Sequence, residues 1–410
     1  MTSPSDDSTG LRGSAGIAVA MLVANVATYG FQVVAARFLG PAEYGAVASL
    51  MAFLLVLSVP QLGLQATAAR RIAADPEHAP VVERAIVRLS YRVGLVLAVG
   101  CLALTPLLAH VVRLDNIWPV VLMALSTAPL TVVGAQAGVL QGERRWRSLG
   151  VVYLGLGVGR LAVGTACIVL RPDATAAMAA VLAAMFIPMA AGWIALRRPR
   201  EASAAPAGTL RIRSVLSEIG TSSAALLAFF ALTNVDILIA RQILDEHTAG
   251  LYAGGLIVTK AVLFLPQFVV VVLFPSMSND TSRRAALVHG LLVMAGTGVA
   301  CTIGAYALSP VALLFVGGAD YAEVESLLWL FAFLGILLAT LQFLVYFALG
   351  RQSHRSTYLI WCGVVSIIVV GLNLDGLAPL AYCVVAIDAI MVAVLATLAL
   401  RGVDRSVPVS

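Results

Sequence analysis

Apolar runs of about twenty residues recur along this chain, separated by short breaks that hold nearly all of its charge. A helix needs roughly 20 such residues to cross a bilayer, because lipid offers unpaired backbone N–H and C=O groups no partner. Runs of that length lie near 15–36, 45–67, 93–112, 117–140, 149–169 and 175–196. After a polar stretch they resume near 219–240, 249–274, 286–308, 325–349, 357–373 and 378–399. The pattern predicts an all-α integral membrane protein with about twelve transmembrane helices. Composition agrees: 60% of the residues are hydrophobic and 11% charged, against roughly 25% charged in a soluble domain. Too little polar surface exists to coat 410 residues with water.

The net charge of +5 carries less information than where the charges fall. No basic block could track a phosphate backbone, so a nucleic-acid partner is not expected. Most of the 26 cationic residues sit in alternate breaks, from Arg70 to Arg92, Arg144 to Arg147, Arg197 to Arg213, and at Arg283, Arg284, Arg351, Arg355, Arg401 and Arg405. The intervening breaks hold only Arg37, Arg113, Arg171 and Arg241. Cationic side chains favour the cytoplasmic face, which predicts an even number of spans with both termini inside a bacterial-type cytoplasmic membrane. The five cysteines all lie in apolar runs and behave as small hydrophobes, with no disulfide framework or metal cluster among them.

The expected organisation is a disordered tail over 1–14, six spans over 15–198, a cytoplasmic linker over 199–214, six spans over 215–401, and a tail over 402–410. The two sets of six share landmarks. Ala36 to Gly45 matches Ala240 to Gly250, Val59-Pro60-Gln61-Leu62 matches Leu265-Pro266-Gln267-Phe268, Pro106 corresponds to Pro310, and Gly142 to Arg147 corresponds to Gly350 to Arg355. Four matches in order at a near-constant offset indicate a duplicated half. Repeats with an even number of spans share one topology, so the two six-helix lobes are expected to be related by a pseudo-twofold axis along the membrane normal, with the functional site between them.

No phosphate-binding loop, metalloprotease helix, nucleophile elbow or paired Cys-x-x-Cys occurs, so neither a catalytic residue, a metal nor a cofactor is expected. The chemistry rests with ionisable residues inside spans, each of which is costly unless it meets water or a partner. These are Arg160, Lys260, Asp236 and Asp388. Two readings fit them: a wet cavity in which Arg160 and Lys260 neutralise an anionic substrate, or interhelical ion pairs that hold the bundle together. Asn25, Thr28, Tyr29 and Gln32 recur at intervals of three and four, a polar stripe on one face of the first helix. Asn234 joins Asp236 in the seventh span as a candidate cavity residue. Pro60, Pro106, Pro129, Pro188 and Pro266 suggest kinks within spans.

Ala35-Ala-Arg-Phe-Leu-Gly-Pro-Ala-Glu-Tyr-Gly45, Gly138-Val-Leu-Gln-Gly142, Asn234-Val-Asp-Ile-Leu-Ile-Ala240 with Ala249-Gly-Leu-Tyr-Ala253, and Gly317-Gly-Ala-Asp-Tyr321 together resemble bacterial polysaccharide-export flippases. These belong to the multidrug/oligosaccharidyl-lipid/polysaccharide exporter superfamily. The resemblance implies a non-enzymatic, alternating-access transporter that flips undecaprenyl-pyrophosphate-linked oligosaccharide outward. It implies a cationic cavity in which Arg160 and Lys260 could serve, with Asn25, Tyr29, Gln32, Asn234, Asp236 and Asp388 lining the cavity or coupling an ion. A lipid-linked sugar, the bilayer, and a polymerase or glycosyltransferases are the partners it implies. The alternatives are a drug/cation antiporter of the same superfamily, which would favour an acidic cavity, and a membrane-embedded polysaccharide-assembly protein without transport activity.

Overall fold

A computed structural model of the chain describes residues 5–197, 224, 226–264, 283–349 and 354–404. Every regular element among them is a helix. Nine helices are long and apolar enough to cross a membrane among the described residues; Thr357–Gly371 is a shorter apolar helix. One of the nine, Gly16–Ala74, takes in the first two expected spans on either side of a break at Gly40. The linker 199–214, Pro266 and the end of the expected eighth span, 265–274, lie outside the described residues.

The chain separates into two compact units. The first combines Met1–Phe38 with Phe53–Ala224, the second Leu39–Ala52 with Ala225–Ser410. The first helical stretch, α1 (Ser5–Leu57), is therefore shared between them. It breaks at Gly40, whose φ of 71° and ψ of 172° leave the helical region ahead of Pro41. Only glycine occupies such a conformation cheaply, and the following proline removes an N–H donor.

In the first unit, α2 (Val59–Ala74), α3 (Ala79–Ala103), α5 (Trp118–Gly142), α6 (Trp146–Leu170) and α7 (Ala174–Leu196) pack around α5, with α4 (Thr105–Val112) extending α3. Prolines act here by position. Pro60 and Pro106 stand in the first turns of α2 and α4, where a missing N–H costs nothing. The expected kink at Pro106 is instead a helix end at Leu104. Pro129 and Pro188 do lie inside helices. On α5, Gly134, Gly138 and Gly142 recur every fourth residue and face Gln61, Gln65 and Ala69 of α2. A Cβ at any of them would overlap that helix. Close backbone approach through small residues drives helix association in lipid, where no hydrophobic effect distinguishes a neighbouring helix from an acyl chain. This explains the Gly138–Gly142 part of the family-like pattern.

In the second unit, α8 (226–232) and α9 (Val235–Ile243) precede α10 (Glu246–Phe264), α11 (Arg283–Ala307), α12 (Ser309–Val316), α13 (Leu328–Leu349), α14 (His354–Gly371) and α15 (Leu377–Asp404). α13 packs against α10, α11 and α15. Thr259 of α10 donates to the Phe331 carbonyl at 2.8 Å, and the Tyr252 and Phe331 rings meet edge to face at 5.2 Å. The two segments matched by sequence also touch: a Cβ on Gly45 would lie 2.9 Å from the Gly250 Cα, and one on Gly250 would overlap the Pro41 carbonyl. The Gly317–Tyr321 motif makes a turn with φ of 149° and 90° at its glycines, which drops Tyr321 into full burial against Gly254.

Large apolar side chains face outward on both units, among them Val96 and Val99 of α3, Leu292 and Ile303 of α11 and Ile390 of α15. On helices of this length, such exposure fits a lipid solvent.

Candidate functional site

The second unit gathers four chemically active side chains from three helices. Asp236 sits in the first turn of α9 and is 3% exposed. Its Oδ2 accepts a hydrogen bond of 3.0 Å from the Tyr252 hydroxyl of α10. Its Oδ1 has no hydrogen-bond partner among the described residues. Lys260, two turns further along α10, is half-buried and near enough to Asp236 to interact with it electrostatically. Asp388 of α15 is fully buried, interacts with Asp236 through charge, and has no partner for either carboxyl oxygen among the described residues. Asn234 is turned inward on its own chain, donating to the Phe230 carbonyl at 2.9 Å and to the Thr233 hydroxyl at 3.0 Å.

Two buried carboxyl groups with a half-buried ammonium group nearby form a charged cluster within the helices of this unit. An unpartnered carboxyl inside a span is costly, and no ion pair among the described residues engages Asp388. For Lys260 and Asp236 the proximity fits the ion-pair reading in part, although no direct contact within 4 Å joins them among the described residues.

Arg160 occupies the first unit, on α6. It is 7% exposed, and its Nε has no hydrogen-bond partner among the described residues. Glycines surround it on the same helix. Gly157 and Gly164 press α6 against Ala24 and Phe31 of α1, and Gly159 against Ile187 of α7. Close packing on both sides seats a long guanidinium within the bundle.

The polar stripe of α1 lies beside that contact. Ala20, Ala24, Ala27 and Phe31 are buried, while Asn25, Tyr29 and Gln32 are half-exposed. Thr28 satisfies its hydroxyl on the Ala24 carbonyl of its own helix, at 2.8 Å. No hydrogen bond among the described residues joins Asn25, Tyr29 or Gln32 to another helix.

Two features escaped the sequence reading. Gln65 of α2 donates to the Tyr153 hydroxyl of α6 at 2.9 Å and to Gln141 of α5 at 3.2 Å, a polar link across three helices. The i, i+4 spacing of Gln61 and Gln65 was its only available signal. The second is Arg241, expected in an outer loop. It is 2% exposed at the C-terminal end of α9, with Glu246 at 3.9 Å. A helix C-terminus and a nearby carboxylate together compensate a buried cation.

Residues 11–280 match the polysaccharide biosynthesis protein family. The chain belongs to that family. No curated protein sequence matches it. Among solved structures, this polysaccharide biosynthesis family member is similar to an inward-facing multidrug resistance MATE transporter of the MOP superfamily, with a TM-score of 0.75 and 15% identity over 94% of this chain and 96% of that one. It is also similar to an outward-facing MATE transporter, with a TM-score of 0.63 and 14% identity over 96% of each chain. A eukaryotic MATE transporter gives a TM-score of 0.61 and 12% identity over 96% of this chain and 99% of that one. At these identities the likeness establishes the fold, a helical membrane-transporter fold, and leaves the cargo to the residues of this chain.

Proposed function

We propose that this family member is a flippase. It carries undecaprenyl-pyrophosphate-linked oligosaccharide from the inner to the outer leaflet of a bacterial cytoplasmic membrane by alternating access, with both termini cytoplasmic. The observation that supports this most is Arg160. A buried guanidinium with an unpartnered Nε, and no carboxylate within ion-pair distance among the described residues, is stable inside a span only if it meets water or an anion. A pyrophosphate supplies that anion, and Lys260 is the second candidate cation. Asn25, Tyr29 and Gln32 offer hydroxyl and amide groups suited to sugar, while Asp236 and Asp388 suit an ion whose gradient would drive the cycle. A polysaccharide polymerase or glycosyltransferases would make and use this cargo.

A second reading is favoured by one observation. Asp236 and Asp388 form a buried acidic pair, which suits a drug/cation antiporter. Lipid analysis of a deletion strain separates the two. Under the flippase reading, a sugar-bearing undecaprenyl lipid accumulates on the inner leaflet and is cleared by the intact gene but not by the Arg160→Ala, Lys260→Ala double variant. An unchanged lipid pool, with lost resistance to small cationic compounds, establishes the antiporter reading instead. Full clearance by the double variant refutes the cationic role of both residues.

A further inference from the structure

α3 carries a row of arginines that neither reading uses. Arg84, Arg88 and Arg92 stand four residues apart, and all three are exposed. At about 100° per residue they fall with Tyr91, Leu95 and Val99 in a strip roughly 100° wide. The opposite face, with Val82, Ile86 and Leu89, is buried against α2 and α5. Arg84 Nε donates to the Pro80 carbonyl of its own helix at 3.2 Å. Arg88 and Arg92 have no hydrogen bond or ion pair among the described residues. On the flank, Asp75 is engaged by His78 at 2.8 Å.

Depth in the bilayer turns this row into a site. α3 and α4 together run from Ala79 to Val112. With the apolar run 93–112 placed in a hydrocarbon core of about 30 Å, the core ends near residue 93. Arg92 and Tyr91 then sit at the core boundary, and Arg88 lies about 6 Å above it, within the headgroup layer. Arg84 is about 12 Å above the boundary. Immediately below come Leu95, Val96 and Val99, at 62%, 71% and 56% exposure. One helix face thus offers apolar contact for acyl chains, an interfacial tyrosine, and then stacked guanidinium groups that can hold phosphate bidentately.

We propose that this face of α3 binds the headgroups of anionic phospholipids from the leaflet it enters. The occupant is a membrane lipid, because the cationic strip continues without a break into a lipid-exposed apolar face. A soluble anion would have no use for Leu95 or Val99. Cationic side chains near an anionic membrane surface each strengthen binding about fivefold, so three supply about a hundredfold preference over a zwitterionic lipid at low salt. This rests on neither the flippase nor the antiporter reading.

The test is native mass spectrometry of the full-length protein, purified in a neutral detergent and titrated with phosphatidylglycerol or phosphatidylcholine. The wild type is expected to retain phosphatidylglycerol preferentially. The triple variant R84Q/R88Q/R92Q should lose that preference about a hundredfold and R88Q alone about fivefold, while R84K/R88K/R92K keeps most of it. Because these side chains are exposed, the variants should unfold at the wild-type temperature. Equal retention of both lipids by the wild type, or an unchanged preference in the triple glutamine variant, overturns the proposal. Full displacement of phosphatidylglycerol by millimolar inorganic phosphate overturns it too, by assigning the strip to a soluble anion.

Discussion

Replacing Asp388 with leucine should make the protein more stable and less active at once. Leucine has the same branched skeleton, so the change keeps the shape of the side chain while removing two oxygens that have no partner among the described residues. Leaving a buried polar group unsatisfied costs about 1–3 kcal/mol in mutational series, and Asp388 is 0% exposed. Relieving that cost should therefore recover about 1–3 kcal/mol, less a little for the larger methyl groups. An unfolding entropy of roughly 2.1 cal/mol/K per residue gives about 0.9 kcal/mol/K for a chain of this length, so the midpoint should rise by roughly 1–3 °C. Asp388→Asn keeps a polar group of the same size and should move the midpoint little. Intrinsic tryptophan fluorescence during heating in detergent reads both, and transport in whole cells reads the function. A midpoint that falls in Asp388→Leu would refute the reasoning, because it would mean that the carboxyl holds a partner and supports the bundle. A raised midpoint with transport intact would leave the burial argument standing and remove Asp388 from the working site.

Two further outcomes follow from local geometry. The Thr248 side chain and backbone N–H both hydrogen-bond to Asp245, the backbone bond at 3.0 Å, and hold its carboxyl below the usual carboxylate range. The folded value is the depressed one, so this contribution is complete above about pH 4 and fades as pH falls through the lowered value. Asp245→Ala should cost about 0.5–1 kcal/mol at neutral pH and progressively less as the carboxyl protonates in acid, read as midpoint against pH. At Gly250 an added Cβ would overlap the Pro41 carbonyl. Gly250→Ala should destabilise by about 1–3 kcal/mol, whereas Gly16→Ala, which meets nothing within 4 Å, should not lower the midpoint; equal midpoints for the two would show that the Gly250 approach is loose.

The helical membrane architecture was legible because its cause is one-dimensional. A backbone in lipid must satisfy itself locally, so each crossing appears as a run of apolar residues whatever its neighbours do. Helix ends were less legible. α3 begins at Ala79, well before the apolar run at 93, because a helix continues into water as long as its polar face permits. The same run ends early, at Leu104, because Thr105-Pro106 starts a new helix. Gly40 could be read as a break from Gly-Pro-Ala alone. That its far side, Leu39–Ala52, packs with the second unit could not, since the partner glycine lies over 200 residues away.

The candidate site divides along the same line. Asp236, Lys260 and Asp388 each declared themselves as a charge in an apolar run, but periodicity orients a side chain only on its own helix. It could not bring Tyr252 to Asp236, because that hydroxyl comes from another helix and tyrosine is unremarkable in a span. Nor could it separate Asn234, spent on its own backbone, from Asp388, spent on nothing within the described residues. The difference is energetic. A polar group satisfied by its own helix costs little and can be there for packing alone, as with Thr28 on Ala24. A fully buried carboxyl without a partner lowers stability, so its presence calls for a benefit beyond folding. Arg160 meets the same criterion in the first unit, with the opposite charge. At Asp388 both carboxyl oxygens, and at Arg160 the Nε, lack a hydrogen-bond partner among the described residues, a property of the packed bundle that no single helix carries.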